Sequence, residues 1–246
     1  MEKLALFGGQ PIRKKFLVFG APDIREAEIK EVVATLRSGW LSTGPRVAKF
    51  EEDFKNYIGC KHAIALNSCT AGLHLALEIA GIKGGDEVIT SPLTFTSTAN
   101  VIIHQGATPV FVDVEKETGN IDPNKIQNYL KLRTLPRGPR VPSGREANSE
   151  LRTRLKAIIP VHLYGRPCRM DEIMKIAEEN NLLVIEDAAH AVEARYGNKK
   201  IGNISDLTAF SFYATKNVVT GEGGMLTTNN DEWAKRLRVL RLHGLS

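Results

Sequence analysis

Cysteines and long apolar runs are scarce in this sequence. Its three cysteines, Cys60, Cys69 and Cys168, are too few and too scattered for a disulfide framework or a zinc site. No stretch approaches the roughly 18 uninterrupted apolar residues of a membrane span, and the apolar run at the N-terminus is too short for a secretory signal. We therefore expect a cytoplasmic protein with no membrane partner and no bound metal.

Outside one segment, the numbers of acidic and basic residues are almost equal. The net charge is +5, yet the segment 131–156 alone carries +6, so the other residues sum to −1. This segment has no aromatic residue and is rich in Pro, Gly and Ser, which is typical of a solvated loop rather than of a nucleic-acid-binding face. We expect no nucleic-acid partner, although a basic binding module stays open as an alternative.

The rest of the chain alternates helix-like and strand-like stretches. Such an order is typical of βαβ units, and it predicts an α/β fold with a mostly parallel sheet. Because ligands bind beyond the carboxyl ends of the strands in such sheets, the loops that follow the predicted strands are where a site is expected. The predicted helices span 24–38, 46–58, 70–80, 94–105, 122–130, 170–180 and 231–242, and the predicted strands span 62–66, 87–90, 109–112, 157–161, 183–186, 207–212 and 225–228.

Two of these loops carry small polar residues or an aromatic residue. The loop 67–72 places Cys69 and Thr70 at the start of a predicted helix, where free backbone N–H groups suit a phosphate. An ordinary helix cap is the alternative. The loop 91–97 places Phe95 after a strand, where its ring either stacks on a flat ligand or packs in the core.

Two further loops carry ionisable side chains. Asp187 ends an apolar strand, where a buried carboxylate is costly unless it is paired, so it can hold a cation or a protonated ring nitrogen. His190 follows three residues later and can face the same site. Lys216 follows another apolar strand, in which Ser211 supplies a hydroxyl, and partial burial would lower the pKa of its amine as a nucleophile requires. A structural aspartate and an exposed lysine are the alternatives.

Taken together, these residues match the needs of one cofactor. Pyridoxal 5′-phosphate requires an amine for its aldehyde, a carboxylate at its pyridine nitrogen, an aromatic cover and a cup for its phosphate. All four occur in loops that follow strands of one α/β pattern. We therefore predict that the chain binds this cofactor.

Six ordered sequence blocks support this prediction, because the chain resembles the DegT-type, fold-type-I pyridoxal-phosphate enzymes. Those enzymes aminate keto sugars attached to nucleotides. The similarity extends from about residue 6 to residue 244 and is interrupted only by the basic segment. The blocks are SGWLSTGP (38–45), NSCTA (67–71), GDEVIT (85–90), PVHLYG (160–165), EDAAHA (186–191), and FSF (210–212) continuing through Lys216 to GEGG (221–224).

The resemblance implies a role for each candidate residue. Lys216 matches the family's Schiff-base lysine, which also acts as the catalytic acid and base. Asp187 matches the residue that keeps the pyridine nitrogen protonated. The other matches are Phe95 as the ring cover, His190 beside the ring, Cys69, Thr70 and Ser211 in the phosphate cup, and Leu41, Ser42 and Thr43 in the loop that lines the sugar pocket.

The resemblance also implies an architecture. We expect residues 1–246 to form a three-layer large domain like that of aspartate aminotransferase, with a mostly parallel seven-stranded sheet. This domain would include an N-terminal segment at 1–22 and a basic insertion at about 132–155. Family members usually form homodimers and continue into a smaller C-terminal domain, so that domain is expected to be absent from this chain.

The activity implied by the resemblance is the transfer of an amino group, usually from glutamate, to a nucleotide-linked keto sugar. Such a reaction serves amino-sugar or surface-polysaccharide biosynthesis. Sugar 3-dehydratases of the same family are an alternative, but those enzymes resemble this chain with histidine in place of Lys216. The lysine therefore favours the aminotransferase.

Overall fold

A computed structural model of the chain describes residues 3–18, 20–134 and 154–245. No helix in these three ranges is both long enough and apolar enough to cross a membrane. The α-helices in them are α1 (Glu26–Ser38), α2 (Pro45–Ile58), α3 (Cys69–Ile79), α4 (Thr96–His104), α5 (Pro123–Thr134), α6 (Met170–Glu179) and α7 (Asp231–Leu240). The strands in them are β1 (His62–Leu66), β2 (Asp86–Thr90), β3 (Thr108–Phe111), β4 (Arg154–Ile159), β5 (Leu183–Asp187), β6 (Arg195–Tyr196), β7 (Lys199–Lys200), β8 (Leu207–Ser211) and β9 (Gly224–Thr228).

Seven of the strands form one sheet in the order β1-β9-β8-β5-β4-β2-β3. Strand β9 is antiparallel to both of its neighbours, and the other pairs are parallel. The predicted mostly parallel seven-stranded sheet is therefore confirmed. Each predicted helix and strand of the described residues is present, with ends shifted by a few residues.

Helices cover both faces of the sheet, which gives three layers. Successive residues of a strand point to opposite faces. In β9, Leu226 belongs to the same apolar cluster as Leu73 of α3, whereas Met225 belongs to the cluster of Phe54 of α2. Helices α3, α4 and α7 pack on one face, and α2 packs on the other, where α5 and α6 cover the remaining strands.

The direction of the strands brings several loops to one edge of the sheet. Strands β1, β2, β4, β5 and β8 run the same way, so their carboxyl ends lie together. The residues that follow them start at Asn67, Ser91, Pro160, Ala188 and Phe212. The loops singled out in the sequence are thus neighbours in space.

Both ends of the expected insertion at about 132–155 lie in regular secondary structure. Helix α5 continues to Thr134, and β4 begins at Arg154 and pairs with β2 from Asp86 onward. The rest of the expected insertion lies outside the described residues. The short hairpin of β6 and β7 was not predicted, because two-residue strands leave no periodic pattern.

Replacing Leu73 by alanine is expected to destabilise the fold by about 2–5 kcal/mol, because the leucine is fully buried between α3 and the sheet and its loss leaves a cavity. Urea unfolding of the cofactor-free protein measures the change. His74 is exposed on the same helix, so His74→Ala is the control and should stay within about 0.5 kcal/mol. Equal effects of the two substitutions would contradict the packing described for α3.

Candidate active site

A cavity of about 490 Å³ opens at the edge where the strand ends meet. It is lined by both apolar and polar residues from five loops, among them residues that the sequence singled out. The predicted residues in its lining are Cys69, Thr70, Phe95, Asp187, His190, Ser211 and Lys216, and the others are Ser68, Thr94, Ser97, Val161, His162, Leu163, Ala189, Tyr213, Thr215, Glu222 and Gly223.

Lys216 contacts a histidine rather than a carboxylate. Its Nζ lies 2.6 Å from Nε2 of His190, within hydrogen-bond distance. Burial lowers the pKa of Lys216, although Cys69 and Asp187 pull it upward. Burial also lowers the pKa of His190, and the nearby Lys216 lowers it further. Both shifts favour the neutral forms of the two groups, and the neutral amine is the form of a lysine that acts as a nucleophile.

Tyr164 orients His190 from the other side. The two rings are parallel to within 5°, with centroids 5.7 Å apart. The backbone of Tyr164 has a φ of +52°, a value that residues other than glycine rarely adopt. Gly165 follows with a φ of +83°. The turn after β4 thus places an exposed aromatic ring against the partner of Lys216.

Asp187 sits at the floor of the cavity with a carboxylate that is 4% exposed. Its Oδ2 accepts a hydrogen bond of 2.7 Å from the Thr98 hydroxyl, and its Oδ1 accepts one of 3.2 Å from the backbone N–H of Ala189. The thiol of Cys69 lies 4.0 Å from Oδ1. These donors meet the cost of burying a carboxylate, so the charge can be held in place.

A second carboxylate lies behind the site, on the opposite face of β5. Burial opposes the charge of Glu186, but hydrogen bonds from His162, Ser205 and Thr208 hold its pKa below the ordinary value. The backbone N–H of Cys168 donates to Nδ1 of His162, so Nε2 carries the imidazole proton that is donated to Glu186. This network fixes the cavity wall at Val161 and Leu163.

The N-terminus of α3 forms another wall. Ser68 caps this helix by accepting a hydrogen bond from the N–H of Ala71, so its hydroxyl serves the helix itself. Cys69 and Thr70 follow in the first turn and line the cavity. Burial raises the pKa of the Cys69 thiol well above its ordinary value, so the thiol stays protonated.

Gly224, the first residue of β9, has no room for a side chain beside the N-terminus of α3. A Cβ at Gly224 would lie 2.4 Å from the backbone of Ser68. Ser211, which pairs with Gly224 across β8 and β9, is thereby kept close to the α3 terminus. Backbone N–H groups at a helix start, with hydroxyls beside them, suit an anion such as a phosphate.

Phe95 is an exposed residue of the cavity lining and not a core residue. It is 74% exposed and lines the cavity, so the alternative of a core phenylalanine is wrong. Leu41, Ser42 and Thr43 lie in the exposed loop between α1 and α2 and do not line this cavity. Their predicted contact with the sugar stays a prediction.

Comparison with known proteins agrees with this geometry. The sequence model of the DegT/DnrJ/EryC1/StrS aminotransferase family matches residues 22–246. The chain is similar to the spore coat polysaccharide biosynthesis protein SpsC of Bacillus subtilis (strain 168), with 53% identity over 95% of this chain and 55% of that protein. The chain thus spans about half the length of the curated relatives it matches.

Two solved structures have a similar fold. One is DesI in the presence of its TDP-sugar product, with a TM-score of 0.81, 36% identity, and coverage of 98% of this chain and 56% of that one. The other is the PLP form of Spr1654 from Streptococcus pneumoniae, with a TM-score of 0.80, 35% identity, and coverage of 93% and 58%.

The cofactor-free protein allows a direct test of the Lys216 environment. Lys216 is expected to react with an acylating reagent at lower pH than Lys235 does, because only the neutral amine is nucleophilic and burial lowers the pKa of Lys216. Lys235 is an internal control, since its hydrogen bond to Glu232 raises its pKa. Quantitative mass spectrometry over a pH series reports both lysines. Parallel pH profiles would contradict the environment described for Lys216.

Proposed function

Because the chain belongs to the DegT/DnrJ/EryC1/StrS aminotransferase family, we propose that it binds pyridoxal 5′-phosphate in this cavity and transfers an amino group to a nucleotide-linked keto sugar. The amino donor is glutamate or a similar amine. One observation carries the proposal. A single cavity brings together the Lys216 amine, the Asp187 carboxylate, the Phe95 ring and the N-terminus of α3.

The residues of the cavity fit the cofactor by their donor set. Lys216 supplies the amine for the aldehyde, and the Asp187 carboxylate is an acceptor for a protonated pyridine nitrogen. Phe95 offers an exposed ring for one face of the cofactor. The phosphate would take the backbone N–H groups of Cys69 and Thr70, together with the Ser211 hydroxyl. When bound, the cofactor supplies an electron sink for the carbon that carries the amino group.

Lys216 moves the proton in this reaction. Its lowered pKa favours an amine that would accept a proton from the carbon on one side of the transferred nitrogen and return it to the carbon on the other side. Nε2 of His190 lies 2.6 Å from Nζ, so a hydrogen bond between them holds the amine in one direction between these two events. Tyr164 keeps the imidazole plane fixed while this happens.

Among the described residues, Asp187 forms no ion pair with Lys216. It accepts hydrogen bonds from the Thr98 hydroxyl, the backbone N–H of Ala189 and, at 4.0 Å, the Cys69 thiol, so a carboxylate is placed there that would favour a protonated pyridine nitrogen. That protonation is what makes the ring an effective electron sink.

The sugar, its partners and its cellular setting are further parts of the proposal. The similarity to a spore coat polysaccharide protein and to a structure with a TDP-sugar product supports a nucleotide sugar for polysaccharide or amino-sugar synthesis. Helix α1 has no buried residue and exposes Ile29, Val32 and Leu36, which supports a homodimer in which a second copy covers this face. We expect the protein to act in the cytoplasm.

Lys216→Ala is expected to abolish both the visible absorption band that added pyridoxal phosphate develops on the protein and amino transfer from glutamate. The reason is that no other amine lines the cavity among the described residues. Absorption spectra and a glutamate assay measure the two effects. Lys49→Ala, on the exposed face of α2, is the control and should resemble the wild type. An unchanged band in the Lys216 variant would refute its assignment.

Asp187→Asn is expected to slow amino transfer at least about a hundredfold, because a neutral amide favours the pyridinium form far less than a carboxylate does. The melting temperature of the cofactor-free protein should change little, since asparagine has the same shape and can still accept the Thr98 hydrogen bond. Asp113→Asn, at an exposed carboxylate outside the cavity, is the matched control. Near-normal transfer by the Asp187 variant would remove the proposed role.

A further inference from the structure

Two threonine hydroxyls form a chain that ends on the Asp187 carboxylate. The hydroxyl oxygens of Thr94 and Thr98 are 2.7 Å apart, and that of Thr98 is 2.7 Å from Oδ2 of Asp187. Thr98 is fully buried in the first turn of α4, whereas Thr94 lies on the cavity wall. The chain therefore runs from the cavity surface to its charged floor.

The direction of these hydrogen bonds is fixed by chemistry. An ionised carboxylate only accepts, so the single hydroxyl proton of Thr98 points to Asp187. Thr98 then has only lone pairs to offer Thr94, which must be the donor. Each hydroxyl polarises the next, and the chain strengthens the bond to the carboxylate.

The same turn of chain carries the candidate ring cover. Phe95 stands between the two threonines, and its carbonyl accepts the backbone N–H of Thr98 at 3.1 Å. Phe95 is also the N-cap residue of α4. A displacement of this turn would therefore move the aromatic ring and the support of the carboxylate together.

We propose that Thr98, supported by Thr94, is a positioning residue that fixes the Asp187 carboxylate in the orientation in which it would receive the cofactor's ring nitrogen. This inference rests on the proposed function. Within the part of the chain that the structure describes, Oδ2 accepts a hydrogen bond only from Thr98. Without that hydroxyl, Oδ2 has no donor among the described residues, and the carboxylate is held only at Oδ1, by the N–H of Ala189 and the more distant Cys69 thiol.

The central experiment compares Thr98→Val with Thr98→Ser. Valine keeps the shape and removes the hydroxyl, whereas serine keeps the hydroxyl and removes a methyl group. Equilibrium titration with pyridoxal phosphate, followed by absorbance, should show affinity weakened about tenfold or more in the valine variant, as expected for losing a hydrogen bond to a charged group. The serine variant should stay within about twofold of the wild type. A role in packing alone would give the opposite order, because serine leaves the larger void.

Thr94 provides an independent arm of the experiment. Thr94→Val removes the first donor from a wall position that is only partly buried, so its fold is expected to be intact even if Thr98→Val does not fold. We expect a smaller loss of affinity in the same direction, restored by Thr94→Ser. In the Thr98→Val background, Thr94→Val should add nothing, because the chain is already broken.

The outcomes separate this inference from the proposed function. If the wild type binds no pyridoxal phosphate, the proposed function fails. If the wild type binds it and the Thr98→Val and Thr94→Val variants bind it equally well, the proposed function stands and the positioning role is overturned. Weakened binding in the valine variants, restored by serine at a constant melting temperature of the cofactor-free proteins, supports the role.

Discussion

Burial of two consecutive carboxylates at the end of β5 is the constraint on which the site depends. Glu186 and Asp187 point to opposite faces of the sheet, and both are almost completely buried. Each charge must be matched by donors from other elements. Glu186 takes donors from the turn after β4 and from the region of β8, and Asp187 takes them from α4 and from its own loop. The two residues thus tie together the segments that surround the cavity.

Most of the architecture could be predicted from the sequence, because periodicity reports which residues face the core. The apolar runs around Ile64, Ile158 and Phe210 give the strands, and their alternation with helical stretches gives the parallel sheet. The common direction of the strands identifies the edge where the loops meet. The sequence pattern alone therefore predicts that Lys216 and Asp187 lie in one site.

Contacts between side chains could not be predicted in the same way, because they depend on register and rotamers. The Lys216–His190 contact joins residues 26 positions apart, and that between Thr98 and Asp187 joins residues 89 positions apart. The positive φ of Tyr164, which turns its ring toward His190, left no signal, since a tyrosine is rarely found in that conformation. A signal did exist for Thr98, which lies one helical turn after Thr94, but hydroxyl residues near a helix start also serve as ordinary caps.

The contacts of Lys216 and Asp187 explain how the two residues can line one cavity without forming an ion pair. An ion pair between Lys216 and Asp187 would stabilise the ammonium form, and an ammonium group is not a nucleophile. Among the described residues, no ion pair joins Lys216 to a carboxylate, and its Nζ instead lies within hydrogen-bond distance of the His190 imidazole, whose pKa burial lowers. Asp187 in turn takes a hydroxyl and an amide, which satisfy its oxygens without cancelling its charge. The fold therefore keeps the Asp187 carboxylate apart from an amine of lowered pKa, and the proposed amino transfer requires two such groups to act at different atoms of one ligand.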